Sequence, residues 1–222
     1  MIKPQLYVIG LGTGRCATKS LATFLNDCPG NNVSHEFRRR YKEKMNYRLN
    51  WYFRKTEAEE RIQWLKRIPG LIVGDIASYY LNYVEYFIEH LIPVKFIYLW
   101  RPKEEVIKSF LRVTKCLDSP DRNHWFSYNH PDFLSGKYKK VAWDRCFPKY
   151  RKAINKKHAI LKYCNVYEQR MKKYMEQYPN FILKVNTYEF NNKNTQIKIF
   201  NFLDLPVNRR KFQIVEENKS YE

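Results

Sequence analysis

Residues 5–10 form a short apolar run rich in β-formers that passes directly into Gly10-Leu-Gly-Thr-Gly-Arg-Cys-Ala-Thr-Lys-Ser20, and residues 18–26 then carry apolar side chains at helical spacing. This sequence of strand, glycine-rich loop and helix constrains the fold more than any other feature. It fixes a β-α unit whose loop presents backbone N–H groups at a helix N-terminus, a ready anion site. Similar apolar runs recur at 71–74, 94–100 and 181–185, each followed by a helix-compatible stretch at 79–90, 103–114 and 193–203, and a weaker strand is predicted at 32–35. Strands alternating with helices predict an α/β fold, a single domain with a central parallel β-sheet flanked by helices. No repeat, low-complexity tract or linker divides residues 1–222.

Two further stretches stand out. Positions Ile154, Ile160, Leu161, Tyr163, Cys164, Tyr167, Met171, Tyr174, Met175 and Tyr178 make an apolar stripe that predicts a long amphipathic helix over 150–178. Residues 116–147, dense in Asp, Ser, Pro, Asn, His and aromatics, read as a long acceptor-side loop or lid. The chain has 222 residues, 44% of them apolar, which is enough for an ordinary core without disulfide or metal staples. Its 41 basic and 22 acidic side chains leave a net charge of +19. That excess suits an anionic ligand, a nucleic acid or an acidic surface alike.

The apolar runs are far shorter than the roughly 20 residues of a membrane span, and Met1-Ile-Lys-Pro-Gln5 enters a strand pattern directly, so neither a signal peptide nor a membrane anchor is expected. The five cysteines, Cys16, Cys28, Cys116, Cys146 and Cys164, form no CxxC pair, which fits a reducing, cytoplasmic compartment better than a disulfide framework or zinc knuckle. His90, His124, His130 and His158 show no metal-ligand spacing, and no metal is expected.

Within the glycine loop, Arg15, Thr18, Lys19 and Ser20 add charge and hydroxyl donors to the backbone N–H groups. The alternative is a turn that merely reverses the chain. The Walker A pattern is not met, because Thr13 and Thr18 stand where its two glycines belong, and this disfavours a nucleoside triphosphate. A second feature is Phe96-Ile-Tyr-Leu-Trp-Arg-Pro-Lys-Glu-Glu-Val-Ile-Lys-Ser109, where Arg101 ends a buried strand and Ser109 lies about two helical turns on. Both can face one anion, the guanidinium through its two-pronged fork and the serine through its hydroxyl. An ordinary ion pair of Arg101 with a carboxylate would explain the arginine equally well.

Together these features resemble the P-loop sulfotransferase superfamily, whose members use 3'-phosphoadenosine 5'-phosphosulfate (PAPS). Thr13-Gly-Arg-Cys-Ala-Thr-Lys-Ser-Leu21 is similar to the family's 5'-phosphosulfate loop, often RSGTT or KSGTT. Arg101 and Ser109 resemble its 3'-phosphate pair, with the offset of eight residues kept. Val73-Gly-Asp-Ile-Ala-Ser-Tyr-Tyr80 is loosely similar to "GEKSPxY", and Val185-Asn-Thr-Tyr-Glu-Phe190 with Ile199-Phe-Asn-Phe-Leu-Asp-Leu-Pro206 to "YEDL... FLGLP". Cys16 and Ala17 replace the usual Ser-Gly, Lys19 stands where a second threonine is common, and Pro102 follows Arg101 at once. The resemblance implies a sulfotransferase fold and PAPS as sulfuryl donor, with adenosine 3',5'-bisphosphate (PAP) as product. It also implies a nucleotide site made of Gly14, Arg15, Cys16, Ala17, Thr18, Lys19, Ser20, Arg101 and Ser109. Tyr188 would lie near the adenine, and Arg209 or Arg210 would supply a late contact to the 3'-phosphate.

In an open parallel sheet, ligands sit at the carboxyl ends of the strands, and Arg15, Glu36, Arg101 and Tyr188 each lie just beyond a predicted strand end. Sulfuryl transfer needs alignment and charge stabilisation, here from Arg15, Lys19 and the loop amides, and a base for the acceptor proton. Glu36 is the preferred base and His35 its rival. In an extended segment their side chains point to opposite faces, so only one is expected to reach the site. The alternative for Glu36 is an ion pair with Arg38, Arg39 or Arg40. The expected acceptor is a hydroxyl or amine of a carbohydrate or small molecule, anionic if the basic run 38–44 attracts it. Trp51, Tyr52, Phe53, Trp125, Phe126, Tyr128 and Trp143 suit stacking on an acceptor and core packing equally. Two other readings stand beside this one: a P-loop kinase using ATP and magnesium, with Asp75 as its only candidate metal carboxylate, and a basic nucleic-acid-binding module, for which no recognition motif is present. Oligomeric state is left open by the sequence.

Overall fold

Val8, Ile9 and Leu11 are apolar, consecutive enough to cover both faces of a strand, and wholly buried, which puts β1 (Leu6–Leu11) at the centre of the sheet. The structure, a computed structural model, describes residues 6–36, 48–115 and 120–215; the run 38–44 and Cys116 lie outside them. After the glycine loop come α1 (Thr18–Asn26), β2 (Asn32–His35), α2 (Lys55–Arg67) and β3 (Ile72–Ile76). A 3₁₀ segment at Ser78–Tyr83, α3 (Val84–His90), β4 (Val94–Trp100) and α4 (Lys103–Thr114) follow. Short pieces then bridge to the last third: β5 (Asp121–Arg122), α5 (Pro131–Leu134), β6 (Tyr138–Lys139) and a 3₁₀ segment at Ala142–Cys146. The described chain ends with α6 (Lys156–Gln177), β7 (Ile182–Asn186), a 3₁₀ turn Thr187–Glu189, α7 (Lys193–Phe202) and a 3₁₀ turn Val207–Arg209.

The main sheet has five strands in the order β2-β3-β1-β4-β7, each pair parallel. All five carboxyl ends therefore share one edge. The chain moves outward from β1 to β2 in one direction and crosses β1 between β3 and β4 in the other, so the crevice beyond β1 is the switch point where ligands bind in such sheets. Right-handed crossovers place α1 on one face and α2, α3, α4 and α6 on the other. On the first face α7 joins α1, with Phe24 stacked on Phe200 at 5.0 Å and edge-on to Phe190 at 5.4 Å.

Three expectations shift. The helix expected over 79–90 is a 3₁₀ segment followed by a short α3. The long amphipathic helix begins at Lys156 rather than 150, because the Asn155 side chain caps it by accepting the His158 N–H at 2.8 Å. Residues 55–67, where the sequence pattern predicts no element, form α2, with Ala58, Ile62 and Leu65 buried.

Candidate functional site

The loop between β1 and α1 is held in an uncommon backbone shape. Gly14 (φ 80°), Arg15 (φ 58°) and Ala17 (φ 55°) are all left-handed. Gly14 is required on two counts, its φ and the Phe110 ring 3.2 Å from where a Cβ would sit. Arg15 and Ala17 carry side chains in this region, at a cost on the order of 1–2 kcal/mol each. Successive turns of this kind point backbone N–H groups into a common concavity, an anion nest, at the N-terminus of α1.

Such a loop needs support from behind. The Tyr167 hydroxyl accepts the Gly12 N–H at 2.8 Å and donates to the Ser78 carbonyl at 3.2 Å, while Tyr163 donates to the Thr13 carbonyl at 2.7 Å. Both tyrosines lie one turn apart on α6 and are wholly buried. Cys16 also turns inward, its Sγ 3.0 Å from Thr13 Oγ1 and donating to the Gly14 carbonyl at 3.2 Å. Burial pushes its thiol up to about 11. Its side chain therefore belongs to the packing beneath the loop.

On the open side the arginines converge. Arg15 Nε donates to Ser109 Oγ at 3.0 Å, and Arg101 Nη1 donates to the Arg15 carbonyl at 3.0 Å. The fork of Arg101 meets Glu105 Oε2 through Nε (3.0 Å) and Nη2 (2.9 Å), and the Tyr188 hydroxyl donates to Glu105 Oε1. Burial first, and then the like charges of Arg101 and Arg112, lower the pKa of Arg15, against which Glu36 acts in the opposite sense. A cluster of cations beside a ring of N–H donors is a place built for an anion.

Glu36 is the first residue beyond β2, and its N–H still follows the sheet, donating to the Ile76 carbonyl at 3.2 Å. Its φ of 52° then breaks the extended geometry. The expected divergence of His35 and Glu36 to opposite faces is accordingly not observed: His35 Nε2 and Glu36 Oε1 stand 3.7 Å apart. His35 Nε2 also shares a hydrogen bond of 3.0 Å with Thr18 Oγ1, at the start of α1. Ser20 is buried in the first turn of α1, and Lys19 is exposed there.

Arg209 and Arg210 are not brought to this edge. Arg209 lies near Gly30, in the turn leading into β2, and Arg210 Nε donates to the Leu205 carbonyl at 2.9 Å. The physical reason is the direction of α7, which runs back from β7 and ends beside the start of β4, where Lys95 pairs with Asp204 at 2.7 Å. Both arginines follow that turn, at the opposite end of the sheet from Arg101. Asp75 is likewise committed: wholly buried, it accepts from Arg61 Nη1 (2.8 Å), Tyr80 OH (2.5 Å) and Ser34 Oγ (2.5 Å). It presents no oxygen to a nucleotide-bound magnesium, which removes the one carboxylate on which the kinase reading leaned.

Of the aromatic candidates, Trp51, Trp125 and Phe126 are core residues, whereas Tyr52, Phe53 and Tyr128 are exposed. Trp125 packs edge-on to Phe110 at 5.0 Å, the residue that abuts Gly14. Trp143 carries the Arg48 guanidinium over its ring at 3.8 Å. His124 is used structurally, with Nδ1 2.7 Å from Asp144 Oδ1 and its ring stacked on Phe147. Among the described residues no group of three or more His, Cys, Asp and Glu could hold a metal ion. No described helix is long and apolar enough to cross a membrane.

Tyr163, Tyr167, Glu105 and Arg112 join the site although no motif in the sequence marks them. The tyrosines were hidden in an apolar stripe. The other two carried a signal in their spacing: Glu105 follows Arg101 by four residues, across the start of α4, and Arg112 follows Ser109 by three on one face of that helix.

The family model for a sulfotransferase domain matches residues 7–221. The chain belongs to the sulfotransferase family. Among solved structures, this sulfotransferase is similar in fold to a sulfotransferase from Alicyclobacillus acidocaldarius, with 13% identity, a TM-score of 0.51, and 98% of this chain and 88% of that one covered. It also aligns with the sulfotransferase domain from the curacin biosynthetic pathway, with 14% identity, a TM-score of 0.49, and 92% and 75% covered. No curated protein matches it.

Proposed function

We propose that this sulfotransferase takes the sulfuryl group from PAPS and passes it by in-line displacement to a hydroxyl or amine of a carbohydrate or small-molecule acceptor. The observation that carries the reading is the hydrogen-bonded chain Ser109–Arg15–Arg101 beside the nest of loop N–H groups. The site suits an anion at two places at once, one in the nest and one at the Arg101 fork, as a nucleotide phosphorylated at both ends requires. Bound PAPS supplies an activated sulfuryl group whose leaving oxygen belongs to a phosphate.

The chain's own residues divide the remaining work. Loop N–H groups and the α1 N-terminus hold the 5' end, and Arg15 neutralises charge building on the leaving oxygen. Arg101 and Ser109 receive the 3'-phosphate. Glu36 takes the acceptor proton, and His35, tied to Thr18, stands beside it as the second proton-accepting group on this edge. The acceptor enters from the side of Glu36, and a net charge of +19 favours an anionic one.

The test is calorimetric titration of the purified protein with PAP in the absence of metal, with AMP and ATP-magnesium as controls. The reading predicts binding of PAP that depends on its 3'-phosphate. Preference for ATP-magnesium over PAP would overturn it in favour of a kinase.

A further inference from the structure

Glu105 has a part that the donor site does not need for binding. Its Oε2 takes both prongs of the Arg101 fork, at 3.0 and 2.9 Å, and its Oε1 accepts the Tyr188 hydroxyl. The fork is the edge of a guanidinium that grips a phosphate bidentately. Glu105 thus holds, with a carboxylate, the group assigned above to the 3'-phosphate, and ties to it the aromatic side chain placed near the adenine. Pro102 is the N-cap of α4, so residue 105 sits in the first turn of the helix and its carboxylate reaches back to the Arg101 fork. The pair is about two-thirds buried, with side-chain exposures of 32% and 35%, so water screens it only in part.

We propose that Glu105 is a built-in competitor for the 3'-phosphate: a carboxylate that closes the Arg101 fork and the Tyr188 hydroxyl on itself and must swing aside for the nucleotide to seat. This rests on the PAPS reading. Two consequences follow from the charge. A ligand with a dianionic phosphate at that position must exchange for the carboxylate, which weakens its binding and leaves nucleotides without that phosphate unaffected. The same carboxylate returns to the fork as the product departs, which speeds release of a nucleotide otherwise held at both ends.

The experiment is titration of wild type, Glu105→Gln and Tyr188→Phe with PAP and with AMP, together with the PAP dissociation rate by stopped flow. Glutamine keeps the shape and still accepts from Arg101 without carrying charge, and phenylalanine keeps the ring while freeing Oε1. The expected result is PAP binding tighter by roughly three- to thirtyfold in Glu105→Gln, AMP binding little changed, and PAP dissociation slower in proportion. Tyr188→Phe should move the same way by a smaller factor. Unchanged or weaker PAP binding in Glu105→Gln would overturn the proposal and make Glu105 a residue that orients Arg101 for the ligand. If wild type itself binds PAP no better than AMP, the PAPS reading fails and the inference falls with it, a result distinct from the first.

Discussion

Replacing Tyr167 by phenylalanine removes one oxygen atom from a wholly buried position, and the structure says what that atom does. It accepts the Gly12 N–H at 2.8 Å and donates to the Ser78 carbonyl at 3.2 Å, so it ties β1's loop to the segment after β3. Phenylalanine fills the same space with no new cavity. What remains is a buried N–H without an acceptor and a carbonyl that has lost a donor, together about 2–4 kcal/mol. For a chain of this size that is a fall in Tm of roughly 5–12 °C. Tyr163→Phe loses the hydrogen bonds to the Thr13 carbonyl and with the Ser78 side chain but leaves no backbone N–H without an acceptor, and should cost about 1–2 kcal/mol. Urea unfolding followed by fluorescence gives both values. Because the loop is also the proposed nest, PAP binding should weaken in the same order. If Tyr163→Phe proves equal to or worse than Tyr167→Phe, or if both variants are as stable as wild type, the account of how α6 braces the loop is wrong.

Two further outcomes follow from the same geometry. Glu36→Gln should leave PAP affinity intact and lower turnover on an identified acceptor by roughly 10²–10⁴-fold; full activity would pass the proton to His35 or to water. Lys149, whose pKa burial pulls down to about 8, binds fewer protons folded than unfolded between that value and the ordinary lysine pKa. Stability should therefore rise with pH from about 8 towards 10, and urea midpoints across that range should lose part of the rise in Lys149→Met.

Much of the fold was legible because its signals are local. An apolar run, a glycine loop and a helical stripe are enough to place β1, α1, β4 and α4, and parallel order follows from their alternation. The β2 strand was short but bounded by turn residues. Residues 55–67 were missed although Glu57 opens the helix and Lys66 and Arg67 close it in the sense that suits a helix dipole, because charged residues dominate the composition and only Ala58, Ile62 and Leu65 mark its buried face. In the site, residues that end strands were readable from sequence, since the sheet edge collects them: Arg15, Glu36, Arg101 and Tyr188. What was not readable depends on contacts across the chain. Tyr167 and Gly12 are 155 positions apart, and nothing in a periodic stripe of tyrosines marks two of them as loop supports. Arg209 and Arg210 failed for the converse reason, as resemblance fixed their order in the chain but not the end of the sheet to which α7 returns them. The pairing of His35 with Glu36 turned on one left-handed residue, which no side-chain pattern announces.

In the proposed function Arg101, bonded to the Arg15 carbonyl, reads the 3'-phosphate of the nucleotide. That role is tested most directly by a cycle of four titrations, PAP and AMP against wild type and Arg101→Ala, on protein whose unchanged circular dichroism shows it to be folded. Two charge-assisted hydrogen bonds to a phosphate, partly screened, predict PAP binding weaker by about 10- to 100-fold in the variant and AMP binding little changed. The preference for PAP over AMP seen in wild type should then largely vanish. A preference that survives Arg101→Ala undiminished would place the 3'-phosphate elsewhere and contradict the account.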